Sequence, residues 1–442
     1  MKVTFIQPAV GKKPDTEYAR TWSMEPLAIA VLSSLTPAHI EKAFYDDRME
    51  SIPFDEPTDI AAITVETYTA KRAYDIATEY RSRKITVVMG GFHPTLATDE
   101  VKRYADVVVA GEAENSWPQV LQDFEKGTLQ AEYRSRSFPE IRGVMPDRSI
   151  FNGKKYLPVG LVEASRGCYY HCEFCSIYGF YDRSYRVRPA ADIAADIVHS
   201  GKKFFFIVDD NVAMDRNRTI EMCRAIKPLG IKWFGQVGIH ISNDDELLLA
   251  LKESGCIGVL IGFESFSESN LKQMKKNINL QYADYRKAIL KLKRHGLMIY
   301  GTFLFGYADD REEDFKRVLR FSKENNLFMT AFNHLVPFPG TPMFRRFKEE
   351  GRLIDEKWWL MDDYKFGDVV FHPGHLSAEE LTRLCYEYRR KFYEVRSIIG
   401  RGIDLKANCG SLKKALVYFL SNFSARSDVE FRQGLPVGHN DK

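Results

Sequence analysis

Short apolar runs alternate with amphipathic helical stretches from the first residues to about residue 345, and this alternation restricts the possible folds more than any other feature. The runs VTFIQP, KAFYDD, IAAITVE, KITVVMGG and DVVVAGE are rich in β-branched residues and close on polar or Gly-containing turns. Helical stretches such as PLAIAVLSSL and TAKRAYDIATEYRSR lie between them. Strands that read as near-continuous apolar runs need cover on both faces, and intervening helices join them in parallel. The expected fold class is therefore α/β, beginning with a doubly wound, Rossmann-like sheet over residues 1–130. Sheets of this kind bind ligands at the carboxyl ends of their strands.

Residues 131–158 are polar and read as a linker. The alternation then resumes with LVEAS, KFFFIVDD, IKWFGQVGI, IGVLIGFES, LMIYGTFLFG and FMTAFNHLVPF. Six such strands with intervening helices predict a partial (β/α)6 barrel over 159–345, with its chemistry at the carboxyl ends of the strands. Residues 346–442 read as a mainly helical region. Within it EELTRLCYEYRRKFYEVRSIIG suggests one long amphipathic helix, and SARSDVEFRQGLPVGHNDK a poorly ordered tail. Trp358, Trp359, Tyr364, Phe366 and Phe371 are read first as core and second as a substrate wall.

A net charge of +3 is too small to argue for a nucleic-acid partner. No apolar run is long enough to span a membrane and no signal peptide is visible, so a cytoplasmic protein is expected. The 7 cysteines then form no disulfide framework. Cys168, Cys172 and Cys175 cluster, whereas Cys223, Cys256, Cys385 and Cys409 are scattered and read as ordinary buried thiols.

The clustered segment is Cys168-Tyr-Tyr-His-Cys172-Glu-Phe-Cys175. Zinc sites take four ligands and commonly use paired C-x2-C units, which here would require His171 as the fourth. Three thiolates in one tight loop better suit an iron–sulfur cubane, holding three irons and leaving the fourth open. The loop follows directly on the strand LVEAS, where barrel chemistry belongs.

This segment resembles the motif of the radical S-adenosylmethionine superfamily at all three cysteines, and the resemblance extends over about 159–345. It implies an oxygen-sensitive [4Fe–4S] cluster that binds S-adenosylmethionine, whose reductive cleavage gives a 5′-deoxyadenosyl radical. Gly262-Phe263-Glu264-Ser265 resembles the segment whose Glu holds the methionine amino group. Asp209 and Asp210 resemble the family's polar strand end, with helix capping as the alternative. By the same resemblance Phe174, Gln236 and Thr302 contact S-adenosylmethionine, with Phe303 beside it, and Pro339-Gly340-Thr341-Pro342 is the turn after the last barrel strand.

The first sheet resembles the cobalamin-binding domain found ahead of the barrel in one large subgroup. Met24, Glu25 and Pro26 precede the first helix, and Thr64, Glu66 and Thr67 follow the third strand. Gly90, Gly91 and His93 follow the fourth, and Gly111 and Glu112 the fifth. The resemblance makes these the cobalamin contacts, and the paired glycines permit close approach of a bulky ligand. The chain departs from many cobalamin domains after the first strand. It reads Gln7-Pro8-Ala9-Val10-Gly11 where they carry D-x-H-x-x-G, so no histidine is expected below cobalt.

The implied function is methylation of an unactivated carbon through methylcobalamin and the deoxyadenosyl radical, with ferredoxin or flavodoxin as electron donor. The subgroup's substrates range over small molecules, lipids and protein side chains, including a glutamine of methyl-coenzyme M reductase. Ring formation without methyl transfer, as in the anaerobic tetrapyrrole cyclase, is the alternative enzyme. An inactive corrinoid-binding module is the non-enzymatic one.

Overall fold

The apolar runs of the first part become β1 (Lys2–Gln7), β2 (Glu41–Asp46), β3 (Ile60–Thr64), β4 (Thr86–Gly90) and β5 (Val107–Ala110). A short β6 (Glu132–Arg134) adds an edge strand that no apolar run announces; only its pairing with β5 defines it. This computed structural model describes residues 1–11, 23–135, 137–282 and 284–438. The six strands are all parallel, in the order β2-β1-β3-β4-β5-β6. The order reverses beside β1 and β3, the crevice where doubly wound sheets take ligands.

Alternating side chains of these strands feed two cores. Ile6, Ala61, Ile63, Val87, Met89 and Val108 face Tyr74, Ala77 and Tyr80 of helix Ala70–Ser82. Val3, Phe5, Ala62, Val88 and Val109 face Ile29 and Trp117 of helices Leu27–Leu35 and Ser116–Lys126. Trp358, Trp359 and Tyr364 belong to the first of these cores, and Phe371 to the barrel core. The Trp358 indole donates to the Pro337 carbonyl at 3.0 Å, and that of Trp359 to Glu100 at 2.8 Å. These aromatics are core, pinning the carboxy-terminal region onto the first sheet, and not a substrate wall.

The second sheet comprises β7 (Val159–Val162), a hairpin excursion β8 (Ser165–Gly167) and β9 (Tyr185–Val187), then β10 (Phe204–Ile207), β11 (Lys232–Val237), β12 (Cys256–Glu264), β13 (Met298–Phe305) and β14 (Met329–His334). Apart from the hairpin, the strands run parallel in the order β14-β13-β12-β11-β10-β7. Sequential order with a helix between neighbours is the pattern of a barrel, left open here at six strands. Phe205, Trp233, Val259, Ile299 and Phe303 are buried against the outer helices. The alternate residues Phe206, Phe234, Leu260, Tyr300 and Thr302 are only half-buried and line the open interior.

The single long helix expected near 379–400 is two helices, Ala378–Phe392 and Val395–Gly402. The chain turns there to bury Tyr393 and to bring the Arg401 guanidinium to the Leu327 and Phe328 carbonyls at 2.8 and 2.9 Å. The expectation of a poorly ordered tail fails for Ser424–Arg432, which belong to helix Leu412–Arg432; its Tyr418, Asn422, Ala425 and Val429 are buried at helical spacing. Residues 439–442 of that expected tail lie outside the described residues. No helix among the described residues is long and apolar enough to cross a membrane.

Candidate active site at the mouth of the barrel

The cysteine loop is built by its neighbours. Both oxygens of Asp209, just past β10, are engaged: Ala164 N–H donates at 2.7 Å and the Ser165 hydroxyl at 2.5 Å. Gly167 N–H donates to Asp210 at 3.2 Å. Gly167 has φ +84°, and a Cβ there would sit 2.0 Å from the Ser184 carbonyl oxygen, so only glycine lets β8 turn into the loop against β9. Burial pushes the Asp209 carboxyl up to about 7 and that of Asp210 to about 6. Asp209 thus ties β10 to the strand entering the loop, and its carboxylate is not free to meet a ligand.

Cys172 is buried, Cys168 and Cys175 are half-buried, and all three are free thiols. Burial pushes the Cys168 thiol up to about 11 and that of Cys175 to about 12, so each holds its proton until a metal displaces it. Among the described residues no three His, Cys, Asp or Glu side chains converge on one ion. His171 is exposed to solvent. With His171 turned to solvent, three thiols in one loop suit a cluster that offers each thiolate its own iron.

Glu264 ends β12 where the register with β13 shifts, and its backbone is left-handed at φ +64°. Such strain persists only where the surroundings enforce it. Asn279 does so, donating to the Gly262 and Phe263 carbonyls at 2.9 Å each, with the Tyr285 hydroxyl on Phe263 at 3.3 Å. Gly262 leaves the space that the Glu264 carboxylate fills; a Cβ there would come within 2.0 Å of it. Lys276 answers that carboxylate at 3.1 Å. Burial opposes the Lys276 charge, but Glu264 and the Cys172 thiol outweigh it and hold the ammonium above its usual range. Sequence reasoning missed Lys276 and Asn279; the only signal was the Lys-Lys-Asn-Ile-Asn run shortly after Gly-Phe-Glu-Ser.

Other expected contacts divide by strand face. Thr302 pairs in register with Gly262 and is half-exposed to the barrel interior, and Gln236 is exposed on β11. Phe303 points the other way, fully buried and stacked on Phe263, so it does not line a ligand pocket. Phe174 packs on the barrel core. Its neighbour Glu173, also missed, is 6% exposed and bonds Arg346 at 2.9 Å and Tyr307 at 3.2 Å. Through Arg346 the loop is anchored to helix Pro342–Glu349, which the Pro-Gly-Thr-Pro turn starts with Thr341 as its cap.

A cavity of about 310 Å³ opens between the strand ends of the first sheet and the barrel. Thr64, Glu66, Gly90, Gly91, Gly111 and Glu112 line it, with apolar walls from Leu27, Val31, Phe92, Trp117, Phe180 and Tyr181. Phe92 stacks on Phe180 of the cysteine-loop helix at 4.4 Å, joining the two halves. A Cβ at Gly111 would meet nothing within 4 Å, so its backbone lies open to the space. Glu66 is exposed, yet burial by the cleft around it pushes its carboxyl up to about 7. Arg166, two residues before Cys168, bridges the halves by pairing with Glu112 at 2.5 Å, Glu114 at 2.6 Å and Glu163 at 2.8 Å.

The remaining expected contacts lie elsewhere. His93 is fully buried among Tyr74, Thr67 and Glu100 at 3.1–3.3 Å, which corrects its expected place at a ligand's edge and takes Thr67 with it. Glu25 pairs with Lys202 at 2.5 Å and joins the domains instead of facing the cavity. The Met24 carbonyl accepts from Arg48, and Pro26 starts helix Leu27–Leu35.

Residues 162–322 match the Radical SAM superfamily. The chain is 32% identical over 355 residues to bacteriochlorophyllide d C-8(2)-methyltransferase of Chlorobaculum tepidum, covering 75% of this chain and 78% of that one. It is 30% identical over 390 residues to bacteriochlorophyllide d C-12(1)-methyltransferase of the same organism, covering 85% and 84%. Its fold is that of the cobalamin-dependent S-adenosylmethionine radical enzyme OxsB, solved with aqua-cobalamin and S-adenosylmethionine bound; the TM-score is 0.66 at 16% identity, over 97% of this chain and 72% of that one. With 32% and 30% identity to two methyltransferases over most of both chains, this chain belongs to the radical S-adenosylmethionine superfamily, in the branch of those methyltransferases.

Proposed function

We propose that this enzyme methylates an unactivated carbon, using a [4Fe–4S] cluster on Cys168, Cys172 and Cys175, S-adenosylmethionine at Glu264, and cobalamin in the cavity between the sheets. When bound, the cluster with S-adenosylmethionine supplies hydrogen abstraction, and cobalamin supplies methyl transfer. The carrying observation is that the cysteine loop and the cavity share one wall: the helix after Cys175 contributes Phe180 and Tyr181 to it, and Arg166 runs from the loop to its rim.

The chain's own residues hold, orient and exclude. Glu264 offers a fixed carboxylate for an ammonium group, and Lys276 beside it a cation for a carboxylate. Both suit an amino-acid end placed next to the thiols. Thr302 and Gln236 present polar groups along the barrel interior. Leu27, Val31, Trp117 and Phe92 give the cavity a dry wall that suits a flat apolar ring and keeps water from it.

The relatives named above act on a bacteriochlorophyllide, which favours a planar ring substrate over the side chain of a protein glutamine. The electron donor belongs to the same proposal: a ferredoxin or flavodoxin in an oxygen-free cytoplasm. The test is anaerobic reconstitution with iron, sulfide and hydroxocobalamin, then incubation with a chlorin or a glutamine peptide. One cobalamin per chain and a methylated chlorin support the reading. Iron without retained cobalamin overturns it, and a methylated peptide moves the substrate to protein.

A further inference from the structure

The two last helices carry an apolar face that no described part of the chain covers. Leu412, Leu416, Leu420 and Phe423 are 92%, 60%, 62% and 44% exposed, at the spacing of one helix stripe. The stripe lies opposite the buried Tyr418, Ala425 and Val429, so docking onto the barrel is already satisfied by the other side. Val395, Ile399 and Ile403 repeat the pattern on the neighbouring helix and its end, and Leu405 follows in the connection. A contiguous apolar surface of this kind marks an interaction site.

The charge around it selects the partner. Between Val395 and Ser427 the chain has six basic residues and a single acid, Asp404. That acid is spent on Lys293 at 2.5 Å. Arg396, Lys406, Lys413 and Arg426 are exposed around the leucines, and the exposed acids Glu394 and Glu430 stand only at the two ends of the face. Two copies of such a face would bring like charges together. A bilayer carrying anionic lipids takes both parts at once, with leucines and phenylalanine in the acyl boundary and cations at the headgroups.

We propose that the face formed by helices Val395–Gly402 and Leu412–Arg432 docks the enzyme peripherally on an anionic lipid surface. The docking spans no membrane and does not depend on which substrate is methylated. The other half of the second helix, at Ala425, Asp428 and Val429, lines a cavity of about 390 Å³ shared with Tyr300 of the barrel interior.

Cosedimentation of the full chain with phosphatidylcholine vesicles, with and without phosphatidylglycerol, tests this. Binding to the anionic vesicles is expected to be at least about tenfold tighter and to weaken at high salt. Leu416→Glu with Leu420→Glu abolishes it while iron loading and the circular dichroism spectrum are kept; Lys406→Glu with Lys413→Glu weakens it. Equal binding to neutral vesicles, no binding, or insensitivity to the leucine changes overturns the proposal. A wild-type dimer that sediments as a monomer after those changes assigns the face to a second copy instead.

Discussion

Among the residues, the sharpest contrast is between the clustered and the scattered cysteines. Cys172→Ala is expected to lose iron and all 5′-deoxyadenosine formation while retaining cobalamin, whereas Cys256→Ala keeps the cluster. Iron analysis with visible absorbance separates them, and loss of iron from the Cys256 variant would expose a misassigned ligand. Asp209 makes a prediction in pH. Its folded pKa of about 7 stands above the ordinary carboxyl value, so the folded state binds the extra proton. Its contribution to stability is complete below the unfolded value and is lost as pH rises through about 7. Denaturant unfolding across that window is expected to show this fall, and Asp209→Asn to flatten it. The cysteine cluster was visible in its spacing, and Glu264 in its place at a strand end and the resemblance of its segment. Lys276, Glu173 and Arg166 were not, because lysines, glutamates and arginines are common on solvated faces and only burial singles these out.

At the scale of elements, the main strands were legible because apolar periodicity is local. Two failures show the limit. The unbroken helix expected through Glu394 is bent by what its residues dock on, with Tyr393 in the barrel core and Arg401 on the carbonyls of the two residues before β14. The edge strand β6 is defined by its partner and not by its own residues. The hairpin β8–β9 that presents the cysteines depends on one backbone geometry. Gly167→Ala is expected to destabilise the protein by about 2 kcal/mol, since it forces a side chain into a left-handed position against Ser184. Reduced iron loading at unchanged cobalamin content is the expected signature, and full loading would show that the loop tolerates a shifted hairpin.

For the whole molecule, the question is how two sheets cooperate. Arg166 is the clearest joint, a buried guanidinium among three carboxylates from both halves. Removing one partner of such a network leaves buried charge uncompensated. Arg166→Met is expected to cost about 3 kcal/mol and to lower cobalamin retention more than iron content. Equal loss of both cofactors would mean that Arg166 only supports the cysteine loop.

The sequence by itself determined the fold class, the strand series, the grouping of the three cysteines in one loop and the glycines at the cavity. Each of these is written in consecutive or evenly spaced residues. Tertiary structure alone decided which polar residues meet. Glu173 and Arg346 stand 173 positions apart, and His93, three residues past Gly90, is sealed in the core while Gly90 lines the cavity. A side chain's partner and its exposure follow from how distant elements pack, and no local pattern carries that information.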